Sequence, residues 1–469
     1  MRELMSNSSD ALEKQRYAEI SGKQTRQDEA GLYINVITNE KERTLTIYDS
    51  GIGMSRDEIT ENLGTIAKSG SQEFVKKLQS SNSGSTGDTQ ALDSIIGQFG
   101  VGFYSTFIVA DAVEVFSRSS ITGQGVRWVS DGSGEYEVST VDNLDFQRGT
   151  KILLKLKSES REFSRETEVE KILKKYSLFI TYPIKLNGQL INSLQAIWYR
   201  DKREVTEDEY ERFFEHLANT KVPYKFKLHY STDVPLTIKA LFYVPAAHSE
   251  RLGLQQEQPS MHLYCRKVLI KENCQELLPS YLRFMKGVVD CEDLPLNISR
   301  ETYQDSALIF KLRNVVTRRV LKMLEDEMKR DAQKYDTWFD QFSSFLKEGL
   351  MMDSENKDQL LKLMRYHSNF QENPQNLVGL DDYVKKMKAG QTKIYYVTAQ
   401  TRDQALNNPF MEPFRAAGAD APPVLVLTNN VDEICFSQLS EYKGHRFTNV
   451  ETATYEDISK DIGVKLDDF

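Results

Sequence analysis

The sequence predicts a multidomain α+β protein, and three observations carry that reading. Two alternating runs, Leu32 to Thr38 and Arg43 to Asp49, suit paired strands and are flanked by helical spacing at residues 1 to 20 and Ser55 to Ala67. Strand-like runs return at Leu236 to Val244 and His262 to Ile270, ahead of a helical region from about Ser306 to Leu346. The 469 residues, 39% hydrophobic and 28% charged, suffice for about three domains with a core each.

In chain order, the opening helix and its two strands lead through a glycine turn to the second helix. Ser80 to Thr89 (SSNSGSTGDT) is too rich in Ser, Gly and Thr to bury much surface and reads as the tip of a flap. A glycine-rich segment from Gly97 is followed by a run, Phe103 to Ala110, that can be helical. Strands near Ala112 to Ser117, Gly125 to Ser130, Tyr136 to Val141 and Thr150 to Lys157 then complete an α+β layer. Beyond a charged helix at Glu168 to Tyr176, Asn187-Gly188 signals a tight hairpin that is expected to open a second domain. A smaller α/β unit contains Lys393 to Thr398 and Pro423 to Thr428.

Composition narrows the function. The net charge of -9 comes from 60 basic and 69 acidic residues with no basic block, so the phosphate-neutralising stripe of a nucleic-acid binder is missing. No apolar run is long enough for membrane insertion. Cys265, Cys274, Cys291 and Cys435 are scattered and the six His form no ligand pattern, so reduced thiols and no zinc are expected. The chain opens on a charged, helix-favouring stretch rather than a signal or transit region.

Three segments carry chemistry. In Asp49-Ser50-Gly51-Ile52-Gly53-Met54, glycines at a strand end let the backbone approach a ligand. The carboxylate accepts hydrogen bonds only, which suits the exocyclic amine of adenine and disfavours the carbonyl of guanine. The same string also describes a β-turn with a capping Asp. In Gly97-Gln98-Phe99-Gly100-Val101-Gly102-Phe103, successive free N–H groups ahead of a helix start form an anion site, although a plain glycine-rich bend has the same composition. Its spacing is neither that of the P-loop nor that of the Rossmann turn. On the opening helix, Glu3, Asn7, Asp10 and Lys14 share one face. That stripe is either solvated surface or a site in which Asn7 offers Mg²⁺ a hard oxygen and Glu3, one turn earlier, orients a water.

In order and sequence these segments resemble the nucleotide site of the 90-kDa heat-shock chaperones, whose superfamily includes gyrase B, the MutL mismatch-repair proteins and histidine kinases. The resemblance covers nearly the whole chain. It rests on RELMSNSSDALEK, DSGIGM, NLGTIAKSG, IGQFGVGFYS, RGT at 148 to 150, LQAIW and GVVDCEDLPLNISRE. It implies a GHKL-type two-layer ATP-binding domain over 1–157 and a short linker at 158–180. A middle domain over 181–346, built as a ribosomal-protein-S5-like sandwich with helices, and a small α/β part over 347–469 are implied next.

By the same resemblance Glu3 is the water-activating base, Asn7 the magnesium-side ligand and Asp49 the adenine reader. Gly53, Met54, Asn62, Lys68, Phe103 and Thr150 line the pocket with the loop Gly97, Gln98, Gly100, Val101 and Gly102. Thr65 to Gly97 would be the lid. Arg300, in a catalytic loop near 295–304 with Asn297 and Gln304 beside it, would reach the γ-phosphate from the middle domain as an arginine finger does. The implied activity is ATP hydrolysis with Mg²⁺, driving lid and domain closure on unfolded or metastable client proteins.

The family's initial strand and its C-terminal dimerisation domain are expected to be absent, leaving Glu3 near a terminus liable to fray and any homodimer weak. The short stretch between Lys157 and Leu194, together with LQAIW, WVSDGSG and RKVLI, resembles the mitochondrial matrix branch; the alternative is a cytoplasmic address. Two other functions stay open: a nucleotide- and client-binding module with little turnover, and a different ATPase of the superfamily. The latter is disfavoured because none of the six His lies in a phosphoacceptor helix.

Overall fold

Alternation of apolar and polar residues pairs Ile34–Asn39 (β1) with Thr44–Asp49 (β2) antiparallel, Val36 lying opposite Ile47. In this computed structural model the residues described are 1–22, 25, 31–64, 102–192, 194–250, 256–294, 306–371, 373, 376–418, 421–439 and 441–462. The first sheet adds Ala110–Arg118 (β3), Gly125–Ser130 (β4), Tyr136–Thr140 (β5), Gly149–Leu156 (β6), Ile184–Leu186 (β7) and Gln189–Leu190 (β8). Its order is β5-β4-β3-β6-β2-β1-β7-β8. Val36, Ile47, Val113, Val115 and Leu154 build its core with residues of three helices: Arg2–Ile20 (α1), Arg56–Gly64 (α2) and, beyond the short Thr106–Val109 (α3), Glu166–Tyr176 (α4).

One expectation is corrected here and one open alternative is decided. The Asn187-Gly188 hairpin does not open the second domain: β7 runs parallel to β1, and Asn187 Oδ1 accepts from the Thr38 N–H at 3.0 Å. Ile184, Leu186 and Ile191 are buried in the first core, so the first unit continues through the linker expected at 158–180 to about residue 192. The stripe on α1 is not a solvated face either. Asp10 is 1% exposed and Glu3 and Lys14 are half-buried, leaving Asn7 as its exposed member, while Ser6, Ser8, Ser9 and Glu13 are buried too.

The second unit begins with Glu207–Ala218 (α5), whose first turn is closed by a Thr206–Glu209 capping box. Its sheet runs β12-β11-β13-β10-β9, from Tyr224–Thr232 (β9), Ile238–Pro245 (β10), Ser260–Cys265 (β11), Val268–Lys271 (β12) and Lys286–Cys291 (β13). Ala240 and Phe242 face a core shared with Ser306–Arg330 (α6) and Ala332–Met352 (α7), whereas Leu241 and Tyr243 face Phe213, Phe214 and Trp198. The strand expected over His262 to Ile270 is a hairpin turning at Arg266 and Lys267, both left-handed at φ 50° and 66°. The helical region expected as one is two, because Asp331 accepts from the Lys334 N–H and restarts the helix.

The last unit is a five-stranded sheet, β14-β16-β15-β18-β17, from His367–Ser368 (β14), Lys393–Thr398 (β15), Val424–Leu427 (β16), Glu441–Tyr442 (β17) and His445–Asn449 (β18). A buried ion pair, Lys347 Nζ to Asp432 Oδ1 at 2.7 Å, ties its helix Asn430–Gln438 to α7. The four cysteines are buried and none of them is in a disulfide. Among the described residues no helix is long and apolar enough to cross a membrane.

Candidate functional site

Strand register assembles the site. Asp49 closes β2 opposite Thr150 of β6, and Thr150 lies opposite Ser117 of β3, so three polar side chains stand in a row across three neighbouring strands. Ser117 Oγ lies 3.0 Å from Thr150 Oγ1 and accepts from the Met54 N–H at 2.8 Å, which fixes the turn after β2. Asn62 Nδ2 stands 4.0 Å from Met54 Sδ. Gly53 allows this turn: it is left-handed at φ 65°, and a Cβ there would collide with the Arg118 carbonyl.

Asp49 is 4% exposed. Burial pushes its carboxyl up to about 7, opposed by hydrogen bonds from the Gly51 N–H, the Ser8 side chain and the Thr150 N–H and by the charge of Lys14. The carboxylate thus has donors on the protein side and is poised between its two protonation states. A group so perturbed beside a glycine turn is a candidate ligand reader.

Helix α1 joins the rest to it. The Ile52 N–H donates to the Ala11 carbonyl at 3.0 Å, locking the turn after Asp49 onto the helix. At the helix start Glu3 lies against Gly102, where a Cβ would come within 2.7 Å of Glu3 Oε2, so this end of the glycine-rich segment is small for the carboxylate's sake. Phe103 is 7% exposed, edge-on to Trp128 at 5.5 Å and to Tyr104 at 5.8 Å, and anchors the segment in the core. Asn7, one turn after Glu3, is exposed.

Among the expected site residues, Glu3, Asp49, Met54, Asn62, Gly53, Gly102, Phe103 and Thr150 fall into these contacts. Lys68, Gly97, Gln98, Gly100, Val101 and Arg300 lie outside the described residues, as do Asn297, Gln304 and the stretch Thr65 to Gly97. Sequence reasoning missed Ser8, Ser117 and Arg148. Arg148 is 2% exposed, donates Nε–H to the Ser50 carbonyl at 2.9 Å and pairs with Glu19 at 3.3 Å. A signal existed for Ser8: serines disfavour a helix interior, so the run Ser6, Ser8, Ser9 inside α1 asks for partners elsewhere.

Residues 1–171 match the family described as histidine kinase-, DNA gyrase B- and Hsp90-like ATPase, and residues 187–462 match the Hsp90 protein family. The chain belongs to the Hsp90 family. It is 41% identical over 452 residues to the chaperone protein HtpG of Desulfitobacterium hafniense, a match covering 96% of this chain and 72% of that one. Against the mitochondrial heat shock protein 75 kDa of Bos taurus it is 43% identical over 456 residues, covering 96% and 63%. Against the mitochondrial TNF receptor-associated protein 1 homolog of Dictyostelium discoideum it is 38% identical over 461 residues, covering 97% and 63%. The chain therefore spans under two thirds of the length of the two mitochondrial relatives. The ATPase family model covers the start of the chain, and the row Asp49, Thr150, Ser117 lies inside the stretch it matches.

The residues present also suit a nucleotide's metal. No group of three His, Cys, Asp or Glu gathers among the described residues. Magnesium carried by phosphates needs only one or two protein oxygens, and the exposed Asn7 carboxamide beside Glu3 meets that need.

Proposed function

We propose that this chain is the ATP-binding and ATP-hydrolysing part of a chaperone that closes on unfolded or metastable client proteins, with Asp49 reading adenine and Glu3 acting as the base. The observation that carries the reading is the junction at α1, one helix holding Ser8 on Asp49 and Glu3 on Gly102. Asp49 offers an acceptor where adenine has an amine, while Thr150 and Ser117 hold the neighbouring wall. Met54 and Asn62 flank the base and ribose side, with Lys68 and the loop Gly97, Gln98, Gly100, Val101 and Gly102 on the phosphates. Magnesium, when bound, neutralises phosphate charge, and Asn7 would be its protein ligand. Arg300, from the middle domain, would supply a cation to the γ-phosphate, so hydrolysis requires the two domains to meet.

Steady-state phosphate release from ATP tests the reading. The parent should turn over well above Glu3→Ala and Arg300→Ala, with nucleotide still bound by both variants; equal rates in all three would leave a binding module without turnover. Relatives from bacteria and mitochondria stand at 38–43% identity. A mitochondrial-matrix address therefore rests on the LQAIW, WVSDGSG and RKVLI stretches, and imaging the tagged protein in its own cells tests it.

A further inference from the structure

Two sequence stretches that the nucleotide site does not use, LQAIW with the following Tyr199 and RKVLI, meet at one joint. They meet around Asp290, 1% exposed on β13. Asp290 accepts the Arg266 and Lys267 N–H groups, each at 2.8 Å, and the Trp198 Nε1–H at 3.3 Å. This explains how two non-glycine residues tolerate left-handed backbone: each exposes an N–H that one carboxylate collects. Held in this way, the turn aims Lys267 at the first unit. Its Nζ lies 4.7 Å from the Tyr199 ring centroid and donates to Thr181 Oγ1 at 2.9 Å. Lys239 Nζ lies 4.2 Å from the same ring and pairs with Glu292 at 3.1 Å.

The contact leads to α1. Next to Thr181, the Tyr182 hydroxyl bonds Glu13 of α1, a 4% exposed carboxylate that also takes Arg16. Glu13 is close enough for its charge to act on Lys267. An ion pair, Lys175 of α4 to Glu272 after β12 at 2.7 Å, crosses the same seam. The helix that carries Glu3 and Ser8 is thus linked at Glu13, through Tyr182 and the neighbouring Thr181, to Lys267 of the middle unit.

We infer that Lys267 is a positioning residue that couples the middle domain to α1 through Thr181, Tyr182 and Glu13, so that the placement of Glu3 depends on how the middle domain sits. The inference rests on the proposed ATPase reading for its functional consequence. Its structural content does not depend on nucleotide. A charge-free side chain of similar length at 267 keeps the packing on Tyr199 but loses both the Thr181 bond and the attraction to Glu13.

Two measurements on the full chain test it. In the first, spin labels at Glu42→Cys and Glu211→Cys report the distance between the units without nucleotide. Lys267→Met and Thr181→Val should each broaden the parent's distribution, the double variant no further, and Lys267→Arg should restore it; an unchanged distribution in Lys267→Met and Thr181→Val overturns the inference. In the second, kcat of Lys267→Met should fall about fivefold or more while the ATP dissociation constant moves less than twofold, and Thr181→Val should add little to it. Unchanged kcat, or a loss confined to binding, also overturns it. A parent that binds no ATP would defeat the proposed function, and the distance measurement would still decide the coupling.

Discussion

Gly149 lies directly under Asp49: its backbone is left-handed at φ 107°, and a Cβ there would stand well inside contact distance of the Asp49 carbonyl oxygen. Gly149 precedes Thr150, the residue opposite Asp49 in β6, so the strand that presents the carboxylate can close only over a residue without a side chain. Gly149→Ala should therefore cost about 3 kcal/mol or more, combining backbone strain with a collision that cannot relax. Chemical denaturation would show it as a lower midpoint, with nucleotide affinity lost in step.

The pH dependence of the site follows from Asp49. Its carboxyl is raised by burial from an ordinary 3.8 to about 7. Between those values the folded chain holds a proton that the unfolded chain has released, so Asp49 lowers stability progressively as pH rises through that window. Asp49→Asn should flatten this part of the stability profile. Ligand binding runs the other way, because the ionised form is the better acceptor for an amine: ATP affinity should be higher at pH 8 than at pH 6, and titration calorimetry at both pH values checks it.

At the other end of α1, Gly102→Ala should separate binding from turnover. The new methyl meets Glu3 Oε2 and must displace a flexible carboxylate rather than backbone. The expected result is a kcat reduced about tenfold or more, as general-base losses are, with the ATP dissociation constant changed by less than threefold. Single-turnover phosphate release beside equilibrium binding measures both.

Most strands of the first sheet were legible because alternation and β-branched residues mark them, Gly125 to Ser130 coinciding with β4. The Asn187-Gly188 turn was legible too, but not its partner, since pairing of β7 with the remote β1 leaves no local signal. The Arg266-Lys267 turn was hidden because its cost is met by Asp290, 24 residues away in sequence. In the site, Asp49 and the glycines announce themselves through residue type and spacing, whereas Ser117 becomes visible only once β3 lies beside β6.

The buried pair Lys347–Asp432 makes a prediction about the last unit. Both side chains are 5% exposed, so Lys347→Met strands a carboxylate in the core and should cost about 3–5 kcal/mol. Lys347→Met with Asp432→Leu should recover most of that loss, because an apolar pair removes the uncompensated charge. Thermal unfolding of the two variants beside the parent decides it.

Adenine recognition is proposed to rest on Asp49, held by Ser8, Gly51 and Thr150. Calorimetric titration of Mg·ATP into the parent and into Asp49→Asn, at pH 8 and with both proteins verified as folded, tests it most directly. The expected result is binding by the parent and a loss of about a hundredfold or more in the variant, as when a buried acceptor opposite an amine is replaced. Equal affinity in the two proteins would contradict it.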